Sequence, residues 1–192
     1  MTEIFTRYIS RKGILTENEC TRLLEIAFVR NIPKGDFLVR EGKLWKLYAF
    51  LLEGCLRTYM VNEKGLERTT GFTTTGCWAG DGESLRSGRP SNYNIEALTN
   101  STVLFIKNPD FETLAKSIPA LNRLLAYVVD KNFMVTQERI YMIINYSAQQ
   151  KYTAFLVRYG KESSHFSQTA IASYLGITLE TLSRIKKALK TD

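Results

Sequence analysis

The sequence predicts an α+β chain: an N-terminal antiparallel β jelly-roll barrel with flanking helices, then a long helix, then a small all-helical C-terminal domain. Three observations predict it. Between Val29 and Lys107, short apolar runs alternate with the turns Pro33-Lys-Gly35, Glu41-Gly42, Glu53-Gly54 and Asn62-Glu-Lys-Gly65, which is the spacing of strands in a sandwich or barrel. After Pro119 an apolar pattern of helical period continues to about Tyr146. From Ser167 two short amphipathic segments flank Gly176, a residue that tolerates the left-handed backbone a tight turn between helices requires.

Taken in order, residues 1–28 read as helical. Thr16-Glu-Asn-Glu19 is a capping box, and Leu23, Leu24, Ala27 and Phe28 form an apolar stripe behind it. The strand candidates are 47–52, 55–61, 66–75, 93–98 and 103–107, rich in Val, Phe, Tyr and Thr. A barrel of such strands encloses a pocket, so a small-molecule effector of unknown identity is expected. Asn108-Pro109 starts a helix with Asn as N-cap and Pro at the first helical position. Pro119 opens the long helix, which has two apolar faces. Leu121, Val128, Val135 and Met142 recur every seven residues, while Ala126, Val129, Phe133, Ile140 and Ile144 lie along another side. One face suits the barrel and the other a second copy of the chain. The seven-residue repeat is taken as the seam of a symmetric homodimer, although Lys131 and Glu138 fall at its d positions. Ser147 caps a further helix with Tyr152, Phe155, Leu156 and Tyr159 apolar, and residues 158–166 connect it to the segment that begins at Ser167. The expected division is a sensory domain at 1–117, a dimerisation helix at 118–146 and a helical domain at 147–192.

The last stretch carries the most specific pattern. Ser167 and Thr178 are N-caps for the two short helices. Ile171, Leu175, Ile177, Leu182, Ile185 and Leu189 supply the apolar faces, and the small Ala172 lets the helices approach closely. The outer face of the second helix carries Glu180, Thr181, Ser183, Arg184 and Lys187. This is a helix-turn-helix whose second helix fits a DNA major groove, with Thr178, Ser167 and Gln168 at the helix starts joining the candidate DNA-binding set. The plainer alternative is a helical hairpin whose cations are only solvated. Charge favours the first reading. The chain carries a formal net charge of +7, and from Ser147 onward seven Lys or Arg stand against three acids, a balance suited to a polyanionic partner.

Other classes are disfavoured. No apolar run approaches the roughly 20 residues that span a bilayer, and there is no signal-peptide pattern, so no membrane partner and a cytoplasmic location are expected. Cys20, Cys55 and Cys77 are far apart without CxxC spacing, so reduced thiols are expected rather than a disulfide framework or an iron–sulfur cluster. His165 is the single histidine. It cannot by itself form a multi-histidine metal site, and no catalytic triad is suggested, so neither metal nor enzyme activity is expected.

Helix, glycine-punctuated barrel, long helix and helix-turn-helix, in that order, resemble the Crp/Fnr family of dimeric bacterial transcription regulators over nearly the whole chain. The likeness is strongest in Pro33-Lys-Gly-Asp-Phe-Leu-Val-Arg-Glu-Gly42 and Leu51-Leu-Glu-Gly-Cys-Leu-Arg-Thr-Tyr59. Thr178-Leu-Glu-Thr-Leu-Ser-Arg184 is similar to the family's (Ser/Thr)-x-Glu-Thr-hydrophobic-x-Arg pattern. The resemblance implies that Glu180 and Arg184 read base edges of a near-palindromic operator in double-stranded DNA, and it makes RNA polymerase a further candidate partner. The chemistry agrees: Arg donates twice to guanine and Glu accepts from cytosine.

Two departures from that pattern matter. Family members that bind cyclic AMP carry Gly-Glu early and Arg-Ser late in a phosphate-binding cassette. Here Gly80-Asp81 stands in for the first pair, and Ser91-Asn92, followed by Tyr93, stands where the second belongs. Losing the arginine removes a charge-assisted pairing with phosphate. The candidate ligand-binding set is therefore Gly80, Asp81, Arg86, Arg89, Ser91 and Asn92, with Arg86 or Arg89 compensating from the loop, or with Trp78 and Tyr93 filling the pocket. Cyclic AMP is not the expected effector. The usual C-terminal β-hairpin wing is also missing from a sequence that stops at Asp192, and the connector before Ser167 lacks a strand pattern. The competing functional reading is a ligand-binding or scaffold protein whose tail no longer regulates DNA.

Overall fold

The computed structural model describes residues 2–189; Met1 and residues 190–192, with the expected end of the chain, lie outside the described residues. Two helices come first, α1 (Glu3–Ser10) and α2 (Glu17–Glu25). The predicted capping box closes α2: Glu19 N–H donates to Thr16 Oγ1, and Thr16 N–H donates to the Glu19 carboxylate. The apolar stripe ends sooner than expected. Ala27 and Phe28 belong to strand β1 (Ala27–Ile32), which pairs with the far end of the barrel from its first residue. β-Branched and aromatic neighbours across a ladder override a local helical pattern.

The strands β2 (Phe37–Val39), β3 (Leu47–Glu53), β4 (Cys55–Val61), β5 (Glu67–Thr74), β6 (Trp78–Ala79), β7 (Asn94–Ala97) and β8 (Ser101–Lys107) complete two antiparallel four-stranded sheets. Their orders are β1-β8-β3-β6 and β2-β7-β4-β5. The sequence anticipates β3, β4, β5, β7 and β8 to within two residues at each end. It misses α3 (Gly82–Ser87), a short helix between β6 and β7. α4 (Asn108–Ser117) begins one residue early. Lys107, not Asn108, is its N-cap, and the Asn108 amide instead donates to Glu112 Oε1. α5 (Ala120–Asn145) follows Pro119 as expected, then α6 (Ala148–Tyr159), a 3-10 helix (Gly160–His165), α7 (Gln168–Leu175) and α8 (Leu179–Ala188). Among the described residues no helix is long and apolar enough to cross a membrane.

Three apolar clusters hold these layers. Val39, Trp45, Leu51, Leu56, Val103 and Phe105 fill the space between the sheets. Phe5, Ile9, Leu23, Phe50, Phe111 and Leu121 cover the outside of the β1-β8-β3-β6 sheet. The outside of the other sheet contributes Cys55 and Phe72 to a cluster made mostly by the C-terminal helices, with Phe155, Phe166, Leu175 and Leu182. Phe72 and Phe166 stack with ring centroids 4.0 Å apart and planes 6° off parallel.

α5 crosses from one outer cluster to the other, and this corrects the expected dimer seam. Leu121 (0% exposed) and Met142 (8%) are buried in the chain's own clusters, and Val128 packs beside Leu121. A strict heptad drifts about 20° per repeat on a straight helix, so these four residues sweep along the side that faces the protein. The other predicted face is the open one: Val129, Phe133, Ile140 and Ile144 are 41%, 59%, 47% and 73% exposed.

Because Phe72 sits where the barrel and the helical segment share one core, Phe72→Ala is expected to cost about 3–5 kcal/mol. Calorimetry should resolve the cooperative melting of the wild type into two steps in the variant, with the helical segment melting first. A loss below about 1 kcal/mol would show that the cluster collapses around the gap.

Candidate nucleic-acid interface and effector cassette

The helix-turn-helix forms as its caps dictate. Ser167 accepts from Ala170 N–H and Thr178 from Thr181 N–H, each satisfying a donor that a helix start leaves open. Gly176 adopts φ 67° at the end of α7. Ala172, Ile171, Leu175, Leu182 and Ile185 are buried, Ile177 is half-buried, and Leu189 remains exposed.

At 100° per residue, Glu180, Ser183, Arg184 and Lys187 fall on one side of α8, and all four are exposed. Thr181 does not belong with them. It lies about 100° further round, is half-buried, and its hydroxyl accepts from Thr178 Oγ1 at 3.1 Å. Glu180 and Arg184 form no ion pair among the described residues. A hydrogen bond from its own backbone N–H chiefly holds the Glu180 carboxyl below its ordinary range, which favours the ionised acceptor. Gln168 is engaged: its Oε1 accepts from Lys186 Nζ at 2.9 Å. Lys186 is the residue that sequence reasoning passed over. It is half-buried at the edge of the exposed side of α8, and its hydrogen bond to Gln168 ties the two helices together.

The helical unit is bound to the barrel by polar contacts as well as by the shared core. Thr69 N–H donates to Ser173 Oγ at 3.0 Å, and Ser173 Oγ donates to the Glu67 carbonyl at 3.4 Å. The Arg139 guanidinium on α5 donates to three carbonyls, those of Thr70 and Thr69 on β5 and Tyr174 on α7. The β4–β5 register slips between Thr58 and Tyr59, so Thr70 has no partner across the ladder and its carbonyl is open to Arg139. Cys55 is buried; its thiol donates to Glu162 Oε2 at 3.4 Å, and burial together with that carboxylate pushes its pKa up to about 12. Cys20 lies on α2 and Cys77 just before β6. His165 Nε2 is 4.0 Å from Glu162.

The cassette residues are brought together, but their polar groups are already spoken for. Asp81 is the N-cap of α3, and its carboxylate accepts from Glu83 and Ser84 N–H at 2.9 and 3.1 Å. Ser84 Oγ donates to the Arg89 carbonyl and accepts from Trp45 N–H. Ser91 is buried: its backbone pairs with Gly42 and Lys43, and its hydroxyl closes a turn with Tyr93. Arg86, Arg89 and Asn92 are exposed. Gly80 has φ 116°, and a Cβ there would lie 2.6 Å from Trp45 Nε1, so the indole rests on the cassette backbone. The space between the sheets is thus taken by Trp45 and Phe105. Trp78 and Tyr93 do not fill it: Trp78 sits against Phe5, Tyr8 and Phe50 on the outer side, and Tyr93 remains half-buried in its turn.

The chain is similar to known proteins in both sequence and fold. The cyclic nucleotide-binding domain family matches residues 29–117. The transcriptional activator protein Anr of Pseudomonas protegens is 26% identical over 167 residues, covering 81% of this chain and 68% of that protein. The fumarate and nitrate reduction regulatory protein of Escherichia coli is 26% identical over 184 residues, covering 89% and 72%. Among solved structures, FixK2 from Bradyrhizobium japonicum superposes with a TM-score of 0.77 at 21% identity over 86% of this chain and 85% of that one. The regulator CLP of Xanthomonas campestris superposes with a TM-score of 0.72 at 16% identity over 92% and 93%.

Proposed function

We propose that this chain, which carries a cyclic nucleotide-binding domain and has transcription regulators of the Crp/Fnr family as its relatives, is itself a sequence-specific DNA-binding regulator that acts as a homodimer. The observation that carries the reading is the exposed side of α8, where an ionised Glu180 and Arg184 stand one turn apart above a buried apolar floor. In this reading residues 1–117 sense, 118–146 dimerise and 147–192 bind DNA.

The partner copy belongs on the open side of α5. Val129, Phe133, Thr136, Ile140 and Ile143 follow the alternating three- and four-residue spacing of a coiled-coil seam, and an apolar stripe of this extent on a monomer marks an interface. Phe133→Glu with Ile140→Glu would place like charges across a two-fold axis at positions that carry no fold. Sedimentation is expected to show a dimer for the wild type and a folded monomer for the double variant. A wild type that is monomeric at micromolar concentration would remove the homodimer from this reading.

Two copies of α8 presented by a symmetric dimer call for a near-palindromic operator, with half-site centres roughly 10 base pairs apart or a multiple of that. Arg184→Ala is expected to cost about 1–3 kcal/mol per half-site contact and to relax the preference at one base pair. Selection of bound sequences from a random pool tests it. Recovery of the wild-type motif unchanged by the variant would show that Arg184 does not read bases.

The effector in this reading is not cyclic AMP. A carboxylate that caps α3 is not presented to a ribose, and no arginine stands where Ser91 does. Calorimetry with cyclic AMP is expected to show weak binding or none. A dissociation constant in the low micromolar range or tighter would mean that Arg86 or Arg89 supplies the missing charge.

A further inference from the structure

We infer that a cavity between the barrel wall and α5 is a binding site for a small aromatic monocarboxylate. The cavity measures about 140 Å³ and lies where the β1-β8-β3-β6 sheet ends at β6. Trp45, Trp78, Leu85, Leu125 and Val128 give it aromatic and aliphatic walls. An apolar cavity of roughly this size, about 150 Å³, stays dry and takes one benzene ring. A nucleotide, with purine, ribose and phosphate, is several times too large for it.

The rim supplies the charge. Arg86 lines the cavity and also a neighbouring cleft that shares Tyr48, Leu85 and Leu125 with it, bounded by α3, α4 and α5, where Asn108, Asn122 and Lys116 lie. Glu112 is the acid of that cleft. Arg86 makes no ion pair among the described residues, so two cations face one carboxylate. A guanidinium grips a carboxylate through two parallel hydrogen bonds. The ligand this arrangement recognises is therefore a single ring inside with one carboxylate at the mouth. The consequence for regulation rests on the reading of the chain as a dimeric regulator: Val129 lines the cavity and also belongs to the exposed stripe of α5, so a bound ring presses on the proposed seam. Binding itself is measured without DNA or dimerisation, which keeps the two ideas separable.

The chain contains two tryptophans, and both line the cavity, so intrinsic fluorescence reports its occupation. The experiment titrates the full chain with benzoate, with benzyl alcohol as a ring without charge, and with acetate as charge without a ring; calorimetry checks each titration. Benzoate is expected to give a saturable change, benzyl alcohol one about tenfold weaker, and acetate none. Arg86→Gln should weaken benzoate about tenfold and leave benzyl alcohol as it was. Val128→Phe, which fills the cavity from α5, should abolish both responses. Asn132→Phe repeats that test from an exposed position should Val128→Phe fail to fold. No saturable response to either ring compound overturns the site. A benzoate response unchanged by the filling variants places the ring elsewhere and overturns it as well, and a benzoate response indifferent to Arg86→Gln overturns the carboxylate assignment.

Discussion

The outer face of the β2-β7-β4-β5 sheet has to be covered, and what covers it determines the rest of the molecule. Cys55 and Phe72 point out of the barrel, and both are buried only because the C-terminal helices lie on them. The dependence is mutual. α6, α7 and α8 are too few and too short to build a self-sufficient core, so Phe155, Phe166 and Tyr174 complete theirs around the Phe72 ring. Arg139 adds direction to an attraction that has none. Its fork meets the Thr70 carbonyl, left open at a strand irregularity, the neighbouring Thr69 carbonyl, and one at the end of α7, where the helix dipole also favours a cation. The helical unit is therefore an added layer of the barrel, set at one orientation.

Much of this was legible because local chemistry decides it. Ser167, Thr178 and Gly176 mark the two helices α7 and α8 to the residue, since a hydroxyl acceptor or a positive φ is needed at those positions whatever surrounds them. Thr16 and Glu19 do the same for α2. What the sequence concealed is long-range. Ala27 and Phe28 fit a helix as well as a strand, and only their partners Ile106 and Phe105 decide for the strand. α5 is apolar on two sides, and periodicity identifies both without saying which one the protein itself occupies. The seven-residue repeat looked like a seam because it is regular, yet the regular side is the buried one. That the C-terminal helices share a core with β5 was not anticipated at all: Phe72 reads as one more strand residue until Phe166 is seen stacked on it.

The cassette shows how short polar side chains specify a loop. Aspartate is among the best N-caps, because its short side chain reaches the backbone two and three residues on. Asp81 does this, and α3 results. Ser91 contributes a hydroxyl that closes a turn on Tyr93. The buried side chains of Asp81, Ser84 and Ser91 are thereby satisfied, and Trp45 lies on Gly80 where a larger residue could not be accommodated. The open volume lies elsewhere, against α5.

That location bears on how a signal would travel. Releasing the helical unit from the barrel breaks the hydrogen bonds of Arg139 and uncovers Phe72, and hydrogen bonds to a charged group are each worth about 1.5–3 kcal/mol. A small ligand that fits a ring-sized cavity has little interaction energy to set against such a loss, because even the best small ligands gain at most about 1.5 kcal/mol per non-hydrogen atom and usually far less. A shift or rotation of one whole chain against a second copy along α5 breaks no hydrogen bond within either chain, since it acts on the side where Val129, Phe133, Ile140 and Ile144 are exposed. With α8 packed on α6 and α7, α7 on β5, and Arg139 of α5 holding β5 and α7 together, such a movement carries α8 of each chain with it. In the proposed dimer, the relation between the two half-sites is therefore set along the α5 seam rather than at a hinge inside each chain.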